Sequence, residues 1–129
     1  MTASSTSPSV LDPWQLGRIE LANRVVMAPM TRNRADEHGV LPEAAIDYYA
    51  QRAGAGLIVT EGTQPTAAAQ GYPGTPGLHT DVQQAVWAEV ADAVHARGGR
   101  IFCQLMHTGR ISHPSLVPPG ARIVAPSAV

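Results

Sequence analysis

Three short apolar runs, separated by two stretches of helical periodicity, leave this chain few folds to choose from. The runs are RVVMAPM (24–30), LIVTE (57–61) and RIFCQLM (100–106). Continuous apolar runs of that length read as strands buried on both faces. Pro29 has no N–H to donate, so the first strand ends there. The first spacer, PEAAIDYYAQRA (42–53), opens with Pro42 and Glu43, which suit a first helical turn. Ile46, Tyr49, Ala50 and Ala53 fall on one face, and Gly54 offers a stop. The second spacer, DVQQAVWAEVADAVHAR (81–97), is the stronger helix. Thr80 and Gln83 have the spacing of a capping box. Val82, Val86, Val90 and Val94 form a stripe with Trp87 and Ala91 beside it, and Gly98-Gly99 ends the pattern. Strand, helix, strand, helix, strand is the signature of a parallel α/β sheet.

The segments outside this alternation are shorter on information. Trp14 and Leu16, then Gly17-Arg18, then Ile19 and Leu21, read as a small hairpin. The loop GTQPTAAAQGYPGTPGLH (62–79) is too long and too aperiodic to be a mere connector; loops like it are functional or disordered. The polar start, MTASSTSPS, has neither the basic region nor the apolar core of a signal peptide, and residues 1–10 read as a disordered tail. No apolar run is long enough to cross a membrane. A net charge of −1 without a Lys/Arg cluster argues against nucleic acid. The lone cysteine, Cys103, sits in an apolar run and cannot found a disulfide framework, which points to a reducing, cytoplasmic setting.

Two forms of a parallel α/β sheet compete here: a doubly wound sheet and a (β/α)8 TIM barrel. No Gly-x-Gly-x-x-Gly follows a strand, and there is no Walker A motif. The polar residues gather just past the strand ends: Thr31 and Arg32, Glu61 and Thr63, Gln104 and His107. In a barrel that is the C-terminal face, where active sites sit. The plainer explanation is that strands end in polar residues because loops are wet. His107 and His113 lack a metal-ligand arrangement, and Cys103 falls on the opposite side of its strand from Gln104, so no metal site is expected. Glu61 and Arg110 read as structural ion-pair partners, with Arg32 among the candidates.

Four segments together resemble the Old Yellow Enzyme family of flavin-dependent ene reductases: NRVVMAPMTRNRA (23–35), YYAQRAGAGLIVTEGTQ (48–64), GYPGTPGLH (71–79) and QLMHTGRISHP (104–114). They are most similar to the branch with pentaerythritol tetranitrate reductase and N-ethylmaleimide reductase. The resemblance implies a TIM barrel that holds FMN noncovalently, takes hydride from NAD(P)H and reduces activated C=C bonds. It runs from about residue 11 to residue 129 and covers only the front of the barrel. Three strands of eight, plus an N-terminal hairpin, are expected, in a chain about half the roughly 250 residues a full barrel needs.

The resemblance also assigns residues. Gln104 takes the place of the family's flavin-binding Gln, and a side-chain amide can both donate and accept, as the uracil-like edge of the ring requires. From spacing alone, a glutamine satisfied by a neighbouring backbone is the favoured reading of Gln104. Thr31 would donate to the flavin O4, a bond that gains strength as reduction puts charge on the ring. Pro29 and Met30 would approach the ring through backbone, and Gly62 lets its own N–H come close to a cofactor. Tyr72 would line the substrate pocket. Met106 stands where close relatives carry Trp, which changes the shape of that pocket. The substrate-clamping His/His or His/Asn pair, the proton-donating Tyr and the phosphate-binding Arg of the family lie downstream, with no position here. The chain is therefore expected to be an N-terminal fragment that is inactive alone, completed by a complementary C-terminal part of the barrel and acting on a small enone-type substrate. The alternative is a non-catalytic remnant or assembly piece.

Overall fold

The alternation becomes a three-stranded parallel sheet in a computed structural model that describes residues 7–127. A separate antiparallel hairpin comes first, β1 (Trp14–Leu16) with β2 (Ile19–Leu21), turning at Gly17-Arg18. β3 (Val26–Met27) pairs with β4 (Leu57–Thr63), and β4 with β5 (Ile101–Leu105), in the order β3-β4-β5. The register sets Val26 against Leu57, Met27 against Ile58, and Ile58 against Ile101. Residues 1–6 of the expected tail lie outside the described residues. At 9–12 the chain makes a turn, and the Arg24 N–H donates to the Val10 carbonyl at 2.9 Å.

Two helices cover one face of the sheet. α1 (Ala44–Ala50) is extended by single turns at either end, with Ala45 N–H on the Pro42 carbonyl and Ala53 N–H on the Ala50 carbonyl. α2 (Asp81–His95) carries the capping box at Thr80 and Gln83. It ends as Gly98 takes up φ 77°, a conformation that costs a side-chain-bearing residue dearly. The core lies between these helices and β4: Leu41, Ala45, Tyr49, Ala53, Ile58, Trp87, Val90 and Val94. Ile58, Val90 and Val94 are fully buried, and each such side chain contributes about 1.5–3 kcal/mol relative to exposure.

Three expectations need correction. The buried face of α2 is Gln83, Trp87, Val90 and Val94, and Val82 is 60% exposed. At 3.6 residues per turn, a strict four-residue stripe winds off its face by about 120° over three steps, so Val82 has left the core by the time Val94 is in it. The first strand, expected over 24–30, shortens to two paired residues: beyond Met27 the ladder to β4 stops, and the segment is next tied to β4 by the Arg32 N–H on the Glu61 side chain. Val26 and Phe102 are about half exposed where a strand buried on both faces was expected. After β5 the described chain forms short 3-10 turns at Gly109–Ile111 and Pro114–Leu116.

Candidate functional site

The strand ends are organised by a bulge in β4. Val59 pairs with Phe102, but the next pair is Gly62 with Gln104, so two residues of β4, Thr60 and Glu61, answer one residue of β5. Ile58 belongs to the core under the helices, and Thr60 shares a small cavity with Trp87, Val90 and Cys103 on that side. The extra residue re-phases the strand. Glu61 also turns to α1, and Gly62 comes round to the opposite face beside Gln104. A Cβ placed on Gly62 would lie 2.5 Å from Cε of Met106, so Gly62 and Met106 share that face.

A bulge breaks the ladder and must find other partners for buried backbone groups. Here side chains supply them. The Tyr49 hydroxyl accepts the Glu61 N–H at 3.1 Å and donates to Glu61 Oε1 at 3.2 Å. Thr60 Oγ1 accepts the Gln104 N–H at 3.1 Å. Thr60 and Thr63 hydroxyls both donate to the Glu61 carbonyl at 2.9 Å.

Glu61 is 2% exposed. Its Oε2 accepts the backbone N–H of Arg32 at 3.0 Å, which ties the end of the β3 segment to β4 and fixes Thr31 next to it. The expected Glu61–Arg32 ion pair is therefore corrected: the carboxylate holds Arg32 by its N–H, while the guanidinium lies 4.9 Å from the centre of the Tyr48 ring. Arg110 makes no ion pair among the described residues, where the one such contact joins exposed His38 and Glu37. An N–H in the right place wins because it brings no second charge out of water. Burial raises the pKa of Glu61 above the ordinary carboxylate range, and the Arg32 N–H and Tyr49 hydroxyl oppose the rise. Burial likewise pushes Tyr49 well up. Arg32, Tyr48, Tyr49 and Glu61 line a cavity of about 250 Å³ between α1 and the strand ends.

A pH dependence follows from Glu61. The native state holds the Glu61 proton more tightly than the unfolded chain does, so stability from this group is fully present at low pH. It is lost as pH rises through the raised native pKa. Urea midpoints of the chain and of Glu61→Gln, taken from about pH 4 to pH 7, should diverge, with the parent losing stability relative to the variant as pH rises. Parallel curves would show that Glu61 titrates normally.

The residues singled out from the sequence are distributed as follows. Gly62, Gln104 and Met106 stand together on the face away from the helices. Pro29, Met30 and Thr31 are exposed in the segment that Glu61 anchors. Tyr72 is exposed in the long loop, whose Ala69 carbonyl accepts both the N–H and the hydroxyl of Thr108, just past β5. Among the described residues, no hydrogen bond uses the Gln104 amide or the Thr31 hydroxyl; each residue is engaged only by way of backbone, its own or its neighbour's. The buried amides Gln64 and Gln83, by contrast, are bonded at both ends. An unspent donor–acceptor pair beside a glycine fits the edge of a flavin ring. No group of three His, Cys, Asp or Glu side chains that could hold a metal occurs among the described residues. The bulge, and the parts Thr60 and Tyr49 play in it, escaped the sequence reading. The available signal was the polar Thr60-Glu61 pair inside a strand pattern, where a bulge would leave both on one side.

Known proteins resemble the chain over nearly all its length. The family model described as NADH:flavin oxidoreductase / NADH oxidase matches residues 9–128. A rice (Oryza sativa subsp. japonica) protein, 12-oxophytodienoate reductase 7, is 48% identical over 113 residues, covering 87% of this chain and 28% of its own length. The structure of morphinone reductase in complex with tetrahydroNAD superimposes with a TM-score of 0.90 at 50% identity, over 95% of this chain and 34% of that one. The Old Yellow Enzyme homologue from Zymomonas mobilis does so with 0.88 at 43% identity, over 95% and 34%. The chain thus spans about a third of the length of the relatives it matches. With the strand order, the strand-end residues and these likenesses in agreement, the chain belongs to the NADH:flavin oxidoreductase / NADH oxidase family as an N-terminal portion of its TIM barrel.

Proposed function

We propose that this chain supplies the N-terminal third of a barrel that binds FMN and, with NAD(P)H as hydride donor, reduces activated C=C bonds of small enone-type substrates. The observation that carries the reading is the Gln104 amide, without a hydrogen-bond partner among the described residues, beside Gly62 on the face away from the helices. Bound there, FMN would supply hydride transfer from a nicotinamide to an activated alkene. Gln104 would accept from the ring N3–H and donate to O2. Thr31 would donate to O4, and its position is held by the Arg32 N–H on Glu61. Pro29 and Met30 would line the ring through backbone, and Gly62, with Met106 packed over its Cα, would offer its N–H. Tyr72 and Met106 shape the substrate pocket, where a flexible thioether replaces the indole of close relatives.

The proton donor, the substrate clamp and the phosphate anchor come from a complementary C-terminal part of the barrel. A cytoplasmic setting suits a chain with one unpaired cysteine. Among the described residues no helix is long and apolar enough to cross a membrane. The half-exposed Phe102, on the strand face that further strands would cover, also suits a second reading, a non-catalytic assembly piece.

Flavin absorbance separates the two. Co-purified with the rest of a barrel, the chain should carry FMN, and Gln104→Ala should weaken FMN binding about ten- to a hundred-fold through two lost hydrogen bonds. A colourless complex would favour the assembly piece. A coloured one with unchanged affinity in Gln104→Ala would remove Gln104 from the site.

A further inference from the structure

We propose that Thr60 is a positioning residue for the flavin edge: by plugging the β4 bulge with its hydroxyl, it sets Gln104 and Gly62 side by side on the flavin-facing surface. This rests on the flavin reading above and extends it to a residue that faces away from the ring. Thr60 is 1% exposed. Its Oγ1 accepts the Gln104 N–H at 3.1 Å and donates to the Glu61 carbonyl at 2.9 Å, so one hydroxyl bridges the two strands where the ladder is out of step.

The geometry explains why a hydroxyl is needed there. In an unbulged strand, side chains alternate faces, and Gly62 would follow Ile58 and Thr60 toward the helices. The bulge inverts that parity, and Gly62 comes to stand opposite Gln104. The backbone of Gln104 must then be held at the point where the ladder is interrupted. A side chain that accepts from β5 and donates back to β4 does this. Valine has the same shape and can do neither.

The test pairs Thr60→Val with Thr60→Ser and reads two quantities. In the chain itself, amide exchange at Gln104 should quicken about ten-fold in the Val variant and return toward the parent rate in Ser, which keeps the hydroxyl. In the FMN-binding barrel containing the chain, Thr60→Val should weaken FMN about three- to ten-fold. Added to Gln104→Ala, it should weaken binding less than about two-fold further, because Thr60 acts through Gln104. A general loss of packing would instead add in full, and that result overturns the proposal. So does a Val variant with parental FMN affinity while Gln104→Ala is weakened. If Gln104→Ala itself binds FMN normally, the flavin reading falls, and the positioning role falls with it.

Discussion

Purified by itself, the 129-residue chain is expected to reduce 2-cyclohexenone no faster than a blank when given FMN and NADPH. Its rate should be at least about 10³-fold below that of an intact relative, the scale of general acid catalysis alone. The sheet has two open edges, on β3 and β5. A parallel sheet is stable when both faces are covered, and here the helices cover one. The other exposes about half of Phe102, next to the residues proposed for the flavin edge. On the proposed reading FMN would be held by ring contacts on one side, the phosphate anchor being expected from later strands. Hydrogen exchange on the same sample should show slow amides in β4, which is paired on both sides, and fast ones along the outer edges of β3 and β5. Turnover by the isolated chain would mean that it contains an acid and a substrate clamp among the residues present.

Trp87→Ala is expected to abolish the cooperative unfolding transition. The indole is buried, its ring centre lies 5.9 Å from that of Tyr49, and its Nε1 donates to the Gly77 carbonyl at 3.1 Å. Truncation leaves a cavity at the junction of α1, α2 and β4 and an unpaired carbonyl. Such changes cost about 3–5 kcal/mol, comparable to the whole stability of a small unit. Val82→Ala, on the same helix but at an exposed position, should change stability by less than about 0.5 kcal/mol. Urea denaturation followed by far-UV circular dichroism compares the two. Equal losses would put Val82 back in the core.

The difference between those two positions shows where sequence is informative and where it stops. Helix α2 was legible from Thr80, Gln83 and the apolar density that follows, because capping and periodicity are local properties. Its rotation was not, since a four-residue stripe and a 3.6-residue turn part company over the helix length, and only packing on Ile58 and Tyr49 decides between them. β4 was legible as an apolar run. Its bulge was not, because one added residue changes which face a side chain takes without changing the apolar pattern. Glu61 shows the same limit. Its charge suggested an arginine partner, whereas the fold gave it a backbone N–H and a tyrosine hydroxyl, groups that every sequence offers in abundance and none advertises. The roles proposed for Thr31, Gly62, Gln104 and Met106 rest on the resemblance, since they depend on a ligand.

The one-sidedness of the core bears on the order of assembly. Its members run from Leu41 to Val94, and the partly buried residues against it from Met27 to Ile101. Loop closures over that span are short to moderate, and the packing contacts of the helix-covered half fall within residues 27–101. On a ribosome, domains and their early portions consolidate from the N-terminus as the chain emerges. This stretch would then act as a template: one wall complete, with β3 and β5 presenting unpaired backbone for later strands to add to. The same open edges make the waiting state a target for chaperones, and the time until the next strand arrives sets how long that protection is needed.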